Sequence, residues 1–213
     1  DDFSRDALPF AGTALVDVGH ARVRAARLSY VGGPGYELYV PTDQCVTLYD
    51  ALVGAGAAFG LADAGYYTLD ALRIESLRRA FGAELSPDET PLDAGLGFAV
   101  ALDKPADFIG RDALRAQLAR GVQKRLVQLR ATDPDVYLWG GEPVTMNGAA
   151  MGELTSAGYS RRFGCAVALA YARGDGLDDA TLASARWEID VAGQSIVASA
   201  HVATRPAVRA TRA

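Results

Sequence analysis

The stretch "LSYVGGPGYELYVP", residues 28–41, holds a cluster of turn-forming residues between two runs of aromatic and apolar side chains. Glycine supplies positive φ angles and proline fixes φ in a turn, so the cluster predicts a hairpin of two antiparallel strands. Alternation along the second strand separates two faces, one with Tyr36, Leu38 and Val40 and the other with Glu37 and Tyr39. Glu37 therefore points away from the apolar face, either into water or towards a ligand.

Composition places the chain among globular proteins. Half of its 213 residues are hydrophobic, which is enough for one large domain or two small ones. No run of about 20 apolar residues and no basic-then-apolar leader is present, so we expect a soluble, cytoplasmic protein without a membrane partner. The net charge is −5 and the basic residues form no stripe, which argues against nucleic acid as a partner.

The motifs of several enzyme classes are absent from the sequence. It contains no G-x-S-x-G, no phosphate loop ending in G-K-[ST] and no H-E-x-x-H, so hydrolase and nucleotide-kinase activities have no support. Cys45, Cys165, His20 and His201 lack the spacing of metal ligands, and we predict no metal site. The two cysteines are predicted to be reduced thiols.

The first part of the chain, to about residue 120, shows mixed α and β patterns. A helix capped by Thr42 is predicted to end near Gly54 and Gly56, with an apolar face formed by Val46, Tyr49, Leu52 and Val53. A second helix is predicted over residues 66–81, with Gly82 as its stop, and a third from Gly110 to Gly121.

From Gln123 onwards the pattern changes to short β-like runs separated by turn residues. These runs are "KRLVQLRA", "MGELTSAGYS", "CAVALAYA", "RWEIDVAG" and "QSIVASAHVA", and "AGQS" is typical of a hairpin turn. Short strands at this spacing predict a small sandwich or barrel, with the domain boundary near Gly121 and a long loop at "TDPDVYLWGGEP".

Arg73 is, after Glu37, the second candidate for a functional residue. It shares a helical face with Leu69 and Leu72, so its guanidinium is predicted to be partly buried. A desolvated arginine requires a carboxylate or phosphate partner, because its planar fork matches such groups. The partner could be an internal Asp or Glu, or an anionic ligand.

Several of these segments occur together in a recognisable order. "SYVGGPGYELYVP", "YYTLDALRIES", "AFGAELSPDETPLDAGLGFAVALDK", "DFIGRDAL" and "GELTSAGYS" cover most of residues 28–160. In this order they resemble the aminomethyltransferase (glycine cleavage T-protein) family, and within it the folate-binding region of dimethylglycine and sarcosine dehydrogenases and oxidases. The resemblance implies an α+β fold. Residues 1–121 would form the C-terminal part of a folate-binding α/β domain, and residues 122–213 a small antiparallel β-barrel domain.

The resemblance also implies a tetrahydrofolate site. Tyr30 and Glu37 stand where the family has a tyrosine before the hairpin turn and a glutamate seven residues later. A carboxylate can accept the paired N–H groups on the pyrimidine edge of a reduced pterin, while an aromatic ring packs against the ring system. Arg73, in "LRIE", would bind an anionic group of the folate or substrate. Tyr159 would line the cleft, or would be an ordinary core tyrosine.

The activity implied by the family is one-carbon transfer. Tetrahydrofolate accepts an aminomethyl- or iminium-derived carbon from a small amine-derived substrate, and in the dehydrogenase members an N-terminal FAD domain oxidises the amine. Positioning would supply most of the catalysis, together with a general-base carboxylate. The segment with the family's catalytic aspartate would precede Asp1, so no catalytic residue is assigned. We therefore expect a missing N-terminal portion of the same polypeptide to complete the enzyme.

One other function remains open, and a second lacks its motif. The chain could be a T-protein-like structural or binding module that has lost folate chemistry. A tRNA-modifying or iron-sulfur-repair relative would contain a motif of the form K-G-C-Y-x-G-Q, which this sequence lacks.

Overall fold

The computed structural model describes residues 2–202 of the chain. They form two compact units that divide between Leu69 and Asp70. This division does not coincide with the domain boundary predicted near Gly121, which stays a prediction. Residues 203–213 of the predicted second domain, including the last residue of "QSIVASAHVA", lie outside the described residues.

The first unit is built on a three-stranded antiparallel sheet. Its strands are β1 (Thr13–Val18), β2 (Ala21–Ala26) and β3 (Glu37–Tyr39), in the order β1-β2-β3. Burial alternates along β2, because Ala21, Val23 and Ala25 are buried whereas Arg22 and Arg24 are exposed. This period of two is what a sheet with one face on a core requires.

The predicted hairpin exists, but its first strand was placed too late in the sequence. β3 pairs with β2 in a register that sets Glu37 opposite Ala26, so residues 28–31 lie in the connecting loop. The pairing ends there because the backbone N–H of Leu28 turns back to donate to the carbonyl of Ala26. The predicted apolar face is correct for Leu38 and Val40, which pack against the core of the unit, whereas Tyr36 is 41% exposed.

Helix α1 (Cys45–Gly56) follows a short 3-10 turn at Thr42–Gln44. The predicted end of this helix is confirmed, whereas the predicted apolar face is wrong. Leu48 is its buried residue and packs with the β2 side chains, while Val46 is 71% exposed and Tyr49 is 51% exposed. The predicted cap is also wrong, because no side-chain hydrogen bond caps either helical segment.

Helix α2 (Tyr66–Glu75) ends six residues before the predicted end at Phe81. Leu77 adopts a positive φ of 55°, and the N–H of Arg78 donates to the carbonyl of Arg73, which together close the helix. Helix α3 (Arg111–Arg120) confirms the third predicted helix, with left-handed Gly110 before it and Gly121 after it.

The second unit contains an antiparallel sheet. Its described strands are β4 (Lys124–Ala131), β5 (Pro143–Met146), β6 (Ala149–Glu153), β7 (Ser156–Ser160), β8 (Cys165–Arg173), β9 (Trp187–Val191) and β10 (Gln194–His201), in the order β6-β5-β9-β10-β4-β8-β7. The β9–β10 hairpin is confirmed, and Ala192 and Gly193 both take positive φ at its turn. Strands β1 and β5 and helix α4 (Asp179–Ser184) lie in segments where the sequence pattern predicted no element.

This sheet curls into a half-barrel. Arg173 of β8 donates through its backbone N–H to Sδ of Met151 in β6, and through Nε to the Met151 carbonyl, each at 3.2 Å. Alanines of β8 and β10 face the interior, where fully buried Trp187 and Ile189 fill the space. The opposite side of β8, with Val167, Leu169 and Tyr171, packs against Ile74 of α2. The predicted α+β fold with a C-terminal barrel-like sheet is therefore confirmed.

Candidate functional site

Glu37 is the first residue of β3, and its side chain is exposed to solvent. The hydroxyl of Tyr39, two residues along the same face, donates to Glu37 Oε2 at 2.5 Å. This hydrogen bond fixes one carboxylate oxygen, and each oxygen still has a lone pair for a further donor. The carboxylate is thus oriented but available to a ligand that presents N–H groups.

Tyr39 is a dependable donor in this pair. The hydrogen bond to Glu37 and the negative charge of that carboxylate raise the pKa of Tyr39 above its ordinary value. The phenol therefore keeps its proton at neutral pH and continues to donate to Glu37.

Tyr30 lies in the loop between β2 and β3 and is 36% exposed. The loop has a defined shape, because the Ser29 hydroxyl donates to the Gly32 carbonyl at 2.9 Å. Gly35 approaches so closely that an added Cβ would lie 2.9 Å from the Leu28 carbonyl oxygen. Tyr30 and Glu37 are therefore held by one short connection whose path only glycine permits at residue 35.

Arg73 is only 3% exposed and has a complete set of internal partners. Its Nη1 donates to Glu84 Oε2 at 2.7 Å and its Nε to Asp70 Oδ1 at 2.9 Å. Its Nη2 donates to the Ser156 hydroxyl at 2.6 Å. The internal ion pair that we left open for Arg73 is therefore present in the structure, and a contact with folate stays a prediction.

The buried partner in this network is Glu84, whose side chain is fully buried. Besides Arg73, Glu84 accepts hydrogen bonds from the Ala80 backbone N–H, the Thr155 hydroxyl and the Ser156 hydroxyl. Burial by itself would lower the pKa of Arg73, but the carboxylates of Asp70 and Glu84 raise it above its ordinary value. Arg73 therefore stays charged inside the unit, and its hydrogen bonds to Glu84 and Ser156 link α2 to β7.

Tyr159, on β7, is 37% exposed, and its ring stacks on that of Tyr137 with centroids 6.1 Å apart. It is neither a fully buried core tyrosine nor an isolated surface residue. The neighbouring Gly158 allows β7 to approach α2, because an added Cβ would lie 3.2 Å from Cα of Ala71. A folate contact for Tyr159 stays a prediction.

The four predicted site residues thus fall into two pairs. Tyr30 in the β2–β3 loop and Glu37 at the start of β3 belong to the first unit, and Arg73 and Tyr159 lie on packed elements of the second. Sequence reasoning missed the parts played by Tyr39 and Glu84. Position i+2 on the Glu37 face was the available signal for Tyr39, whereas only a tertiary contact identifies Glu84 as the partner of Arg73.

Two kinds of feature are absent from the described residues. Within residues 2–202, no group of three or more His, Cys, Asp or Glu side chains is arranged to hold a metal ion. None of the helices formed by these residues has the length and apolar character needed to cross a membrane.

Two family models match the chain. The GCVT N-terminal domain matches residues 1–104, and the glycine cleavage T-protein C-terminal barrel domain matches residues 124–208. Together they account for nearly the whole chain. The chain therefore belongs to the glycine cleavage T-protein family.

Individual relatives carry different names. The chain is 42% identical over 171 residues to human mitochondrial dimethylglycine dehydrogenase, covering 80% of this chain and 20% of the relative. It is 35% identical over 198 residues to the mouse mitochondrial pyruvate dehydrogenase phosphatase regulatory subunit, covering 87% of this chain and 23% of that protein. The chain thus spans about a fifth of the length of these curated relatives.

A solved structure shares the fold. The crystal structure of glycine cleavage system aminomethyltransferase T from Bartonella henselae superimposes with a TM-score of 0.78 and 25% identity. The match covers 93% of this chain and 53% of that one.

Proposed function

We propose that this chain is a tetrahydrofolate-binding module for one-carbon transfer, in which Glu37 recognises the pyrimidine edge of the reduced pterin. One observation carries the proposal: in a member of the T-protein family, an exposed carboxylate on β3 is oriented by Tyr39 and turned away from the core. A carboxylate in that state can accept two adjacent N–H donors, which is what the pyrimidine edge presents.

The chain's own residues would act mainly by binding and orientation. Reduced folate supplies the nitrogen atoms that take up the one-carbon unit. Glu37 would fix the pterin edge, and the aromatic ring of Tyr30 would pack against its plane. Holding the acceptor in one orientation lowers the entropic part of the barrier to transfer.

Other components of the reaction remain proposals about a longer polypeptide. The substrate would be a small amine, and FAD would belong to another part of that polypeptide, since this sequence has no G-x-G-x-x-G. No catalytic residue is assigned to this chain.

A cytoplasmic location for the protein also stays a prediction.

Calorimetric titration with 5-formyltetrahydrofolate, a stable analogue of the reduced cofactor, tests the proposal. The wild-type chain is expected to bind, and Glu37→Gln to weaken binding about ten- to a hundredfold through loss of a charged hydrogen-bond acceptor. Glu153→Gln is the matched control, because Glu153 is also an exposed glutamate on a strand. Equal weakening by both variants, or none by Glu37→Gln, would contradict the assignment.

A second candidate is a T-protein-like module that keeps the fold without folate chemistry. The similarity to a phosphatase regulatory subunit favours it, because that relative is named for regulation rather than for one-carbon transfer. The same titration distinguishes the two functions, since such a module would show no binding that depends on Glu37.

A further inference from the structure

An open cleft lies in the first unit, beside the β2–β3 loop that contains Tyr30 and leads into Glu37. Its volume is about 410 Å3. One wall comes from Arg5 and Phe10, which precede β1, and the other from the β2–β3 loop, including Arg27, Ser29 and Gly33. Its lining residues include neither Glu37 nor Tyr30, so the proposed pterin contacts leave the cleft without a ligand.

The cleft is positively charged. Two arginines line it, and no carboxylate is among its lining residues. Within residues 2–202, neither Arg5 nor Arg27 forms an ion pair with an Asp or Glu side chain. An arginine without an internal counter-charge beside a concave surface favours an anionic ligand, because its fork matches a carboxylate.

Arg27 is held in place while most of its donors stay available. Its Nη1 donates to the Leu8 carbonyl at 3.0 Å, and its guanidinium carbon lies 6.0 Å from the centre of the Tyr36 ring. These two contacts orient the planar group but involve only one of its five N–H donors directly. Orientation before binding reduces the entropy lost when a ligand binds.

The rest of the cleft provides an apolar surface and open space. Phe10 is 71% exposed, so one face of its ring is available for packing. A Cβ added at Gly33 would meet no atom within 4 Å, which shows that the loop leaves room on this side. The cleft thus combines two cations with one exposed aromatic ring.

We propose that this cleft binds the carboxylate of a small molecule, with Arg5 and Arg27 holding the carboxylate and Phe10 packing against the adjoining stem. The carboxylate could come from the benzoyl-glutamate tail of reduced folate, in which case the inference rests on the proposed function. It could also come from a small amino-acid-like substrate. Both sources present the same charged group to the arginines.

Three probes separate these sources in calorimetric titrations of the full chain. p-Aminobenzoyl-glutamate has the tail without the pterin, 6-methyltetrahydropterin has the pterin without the tail, and N,N-dimethylglycine has only a small carboxylate. Arg5→Gln is the test variant, because the exposed side chain of Arg5 makes its loss harmless to folding. Arg24→Gln, an exposed arginine of β2 outside the cleft, is the matched control.

The expected result is that a carboxylate probe binds and that Arg5→Gln weakens its binding about tenfold, while Arg24→Gln leaves it unchanged. Binding should also weaken as salt concentration rises. Tail binding identifies the folate source, whereas binding of N,N-dimethylglycine alone identifies the substrate source.

The inference is overturned if neither carboxylate probe binds, or if Arg5→Gln and Arg24→Gln behave alike. That failure is separate from failure of the proposed function. 6-Methyltetrahydropterin lacks the tail and reports only on the pterin site at Glu37 and Tyr30, so its binding would preserve the folate proposal even when the cleft binds nothing. Conversely, if p-aminobenzoyl-glutamate binds through Arg5 while the pterin does not bind, the proposed carboxylate site in the cleft stands and the proposed role of Glu37 is rejected.

Discussion

Replacing Glu84 with glutamine should strongly destabilise the second unit. The substitution keeps the shape of the side chain but removes the negative charge that faces Arg73 at 2.7 Å. Both side chains are buried, and the remaining carboxylate partner, Asp70, is 55% exposed. The amide would also turn an N–H group towards the hydrogen-bond donors that now point at Glu84.

The expected cost is about 3 to 5 kcal/mol, because breaking a buried ion pair leaves an uncompensated charge in the interior. Asp70→Asn provides the matched comparison and should cost less than about 1 kcal/mol, since that half of the network is solvated. In a double-mutant cycle, Arg73→Met combined with Glu84→Gln should be less damaging than the sum of the single changes. The coupling free energy should be about 2 to 3 kcal/mol.

Urea unfolding followed by tryptophan fluorescence measures these differences. Trp187 is fully buried in the core of the second unit, whereas Trp139 is 81% exposed, so a Trp139→Phe background isolates the buried reporter. With a slope of about 2 kcal/mol per molar urea, Glu84→Gln should lower the midpoint by roughly 1.5 to 2.5 M. A shift no larger than that of Asp70→Asn, or an additive cycle, would refute the reasoning.

Three further outcomes are expected. Gly158→Val should lower the free energy of unfolding in urea titrations by about 1 to 3 kcal/mol, because the valine side chain would collide with Ala71. Gly54→Ala, in open space on α1, should instead raise it by about 0.5 to 1 kcal/mol. Burial raises the pKa of Tyr171 above its ordinary value of 10, so the folded state retains a proton that the unfolded chain loses, and stability should fall as pH rises above about 10. Tyr171→Phe should weaken that alkaline loss while costing about 1 kcal/mol near pH 8 for the lost hydrogen bond, which unfolding at several pH values would show. Tyr39→Phe should weaken 5-formyltetrahydrofolate binding about two- to tenfold in calorimetry, because the Glu37 carboxylate loses the hydrogen bond that orients it. Unchanged affinity would argue against the orienting role of Tyr39.

The sequence predicted those parts of the fold that depend on backbone conformation and side-chain alternation within a few residues. Gly110 and Gly121 bound α3 because both adopt positive φ, and the β9–β10 turn was predicted from "AGQS", in which Gly193 adopts positive φ. The face on which Glu37 lies also followed from alternation along β3 alone. These features require no knowledge of distant residues.

The wrong predictions concern features that are set by contacts between residues far apart in the sequence. Leu48, rather than the Val46 face, is buried on α1 because β2 packs against that side of the helix. The first strand of the hairpin was misplaced because β2 takes its register from β1, a strand that the pattern did not reveal. Arg73 illustrates the same limit within the candidate site. Its burial was predicted, but Leu72 of the predicted apolar face is 37% exposed and Ile74 is buried instead. The pairing of Arg73 with Glu84 and Ser156 depends on tertiary structure.

A crystal structure of the chain with 5-formyltetrahydrofolate would test the central claim most directly. The account predicts that the pyrimidine edge lies within hydrogen-bond distance of the Glu37 carboxylate, with Tyr39 still donating to Oε2. Folate bound elsewhere on the chain, or a site beside Glu37 that stays empty at saturating ligand, would contradict it.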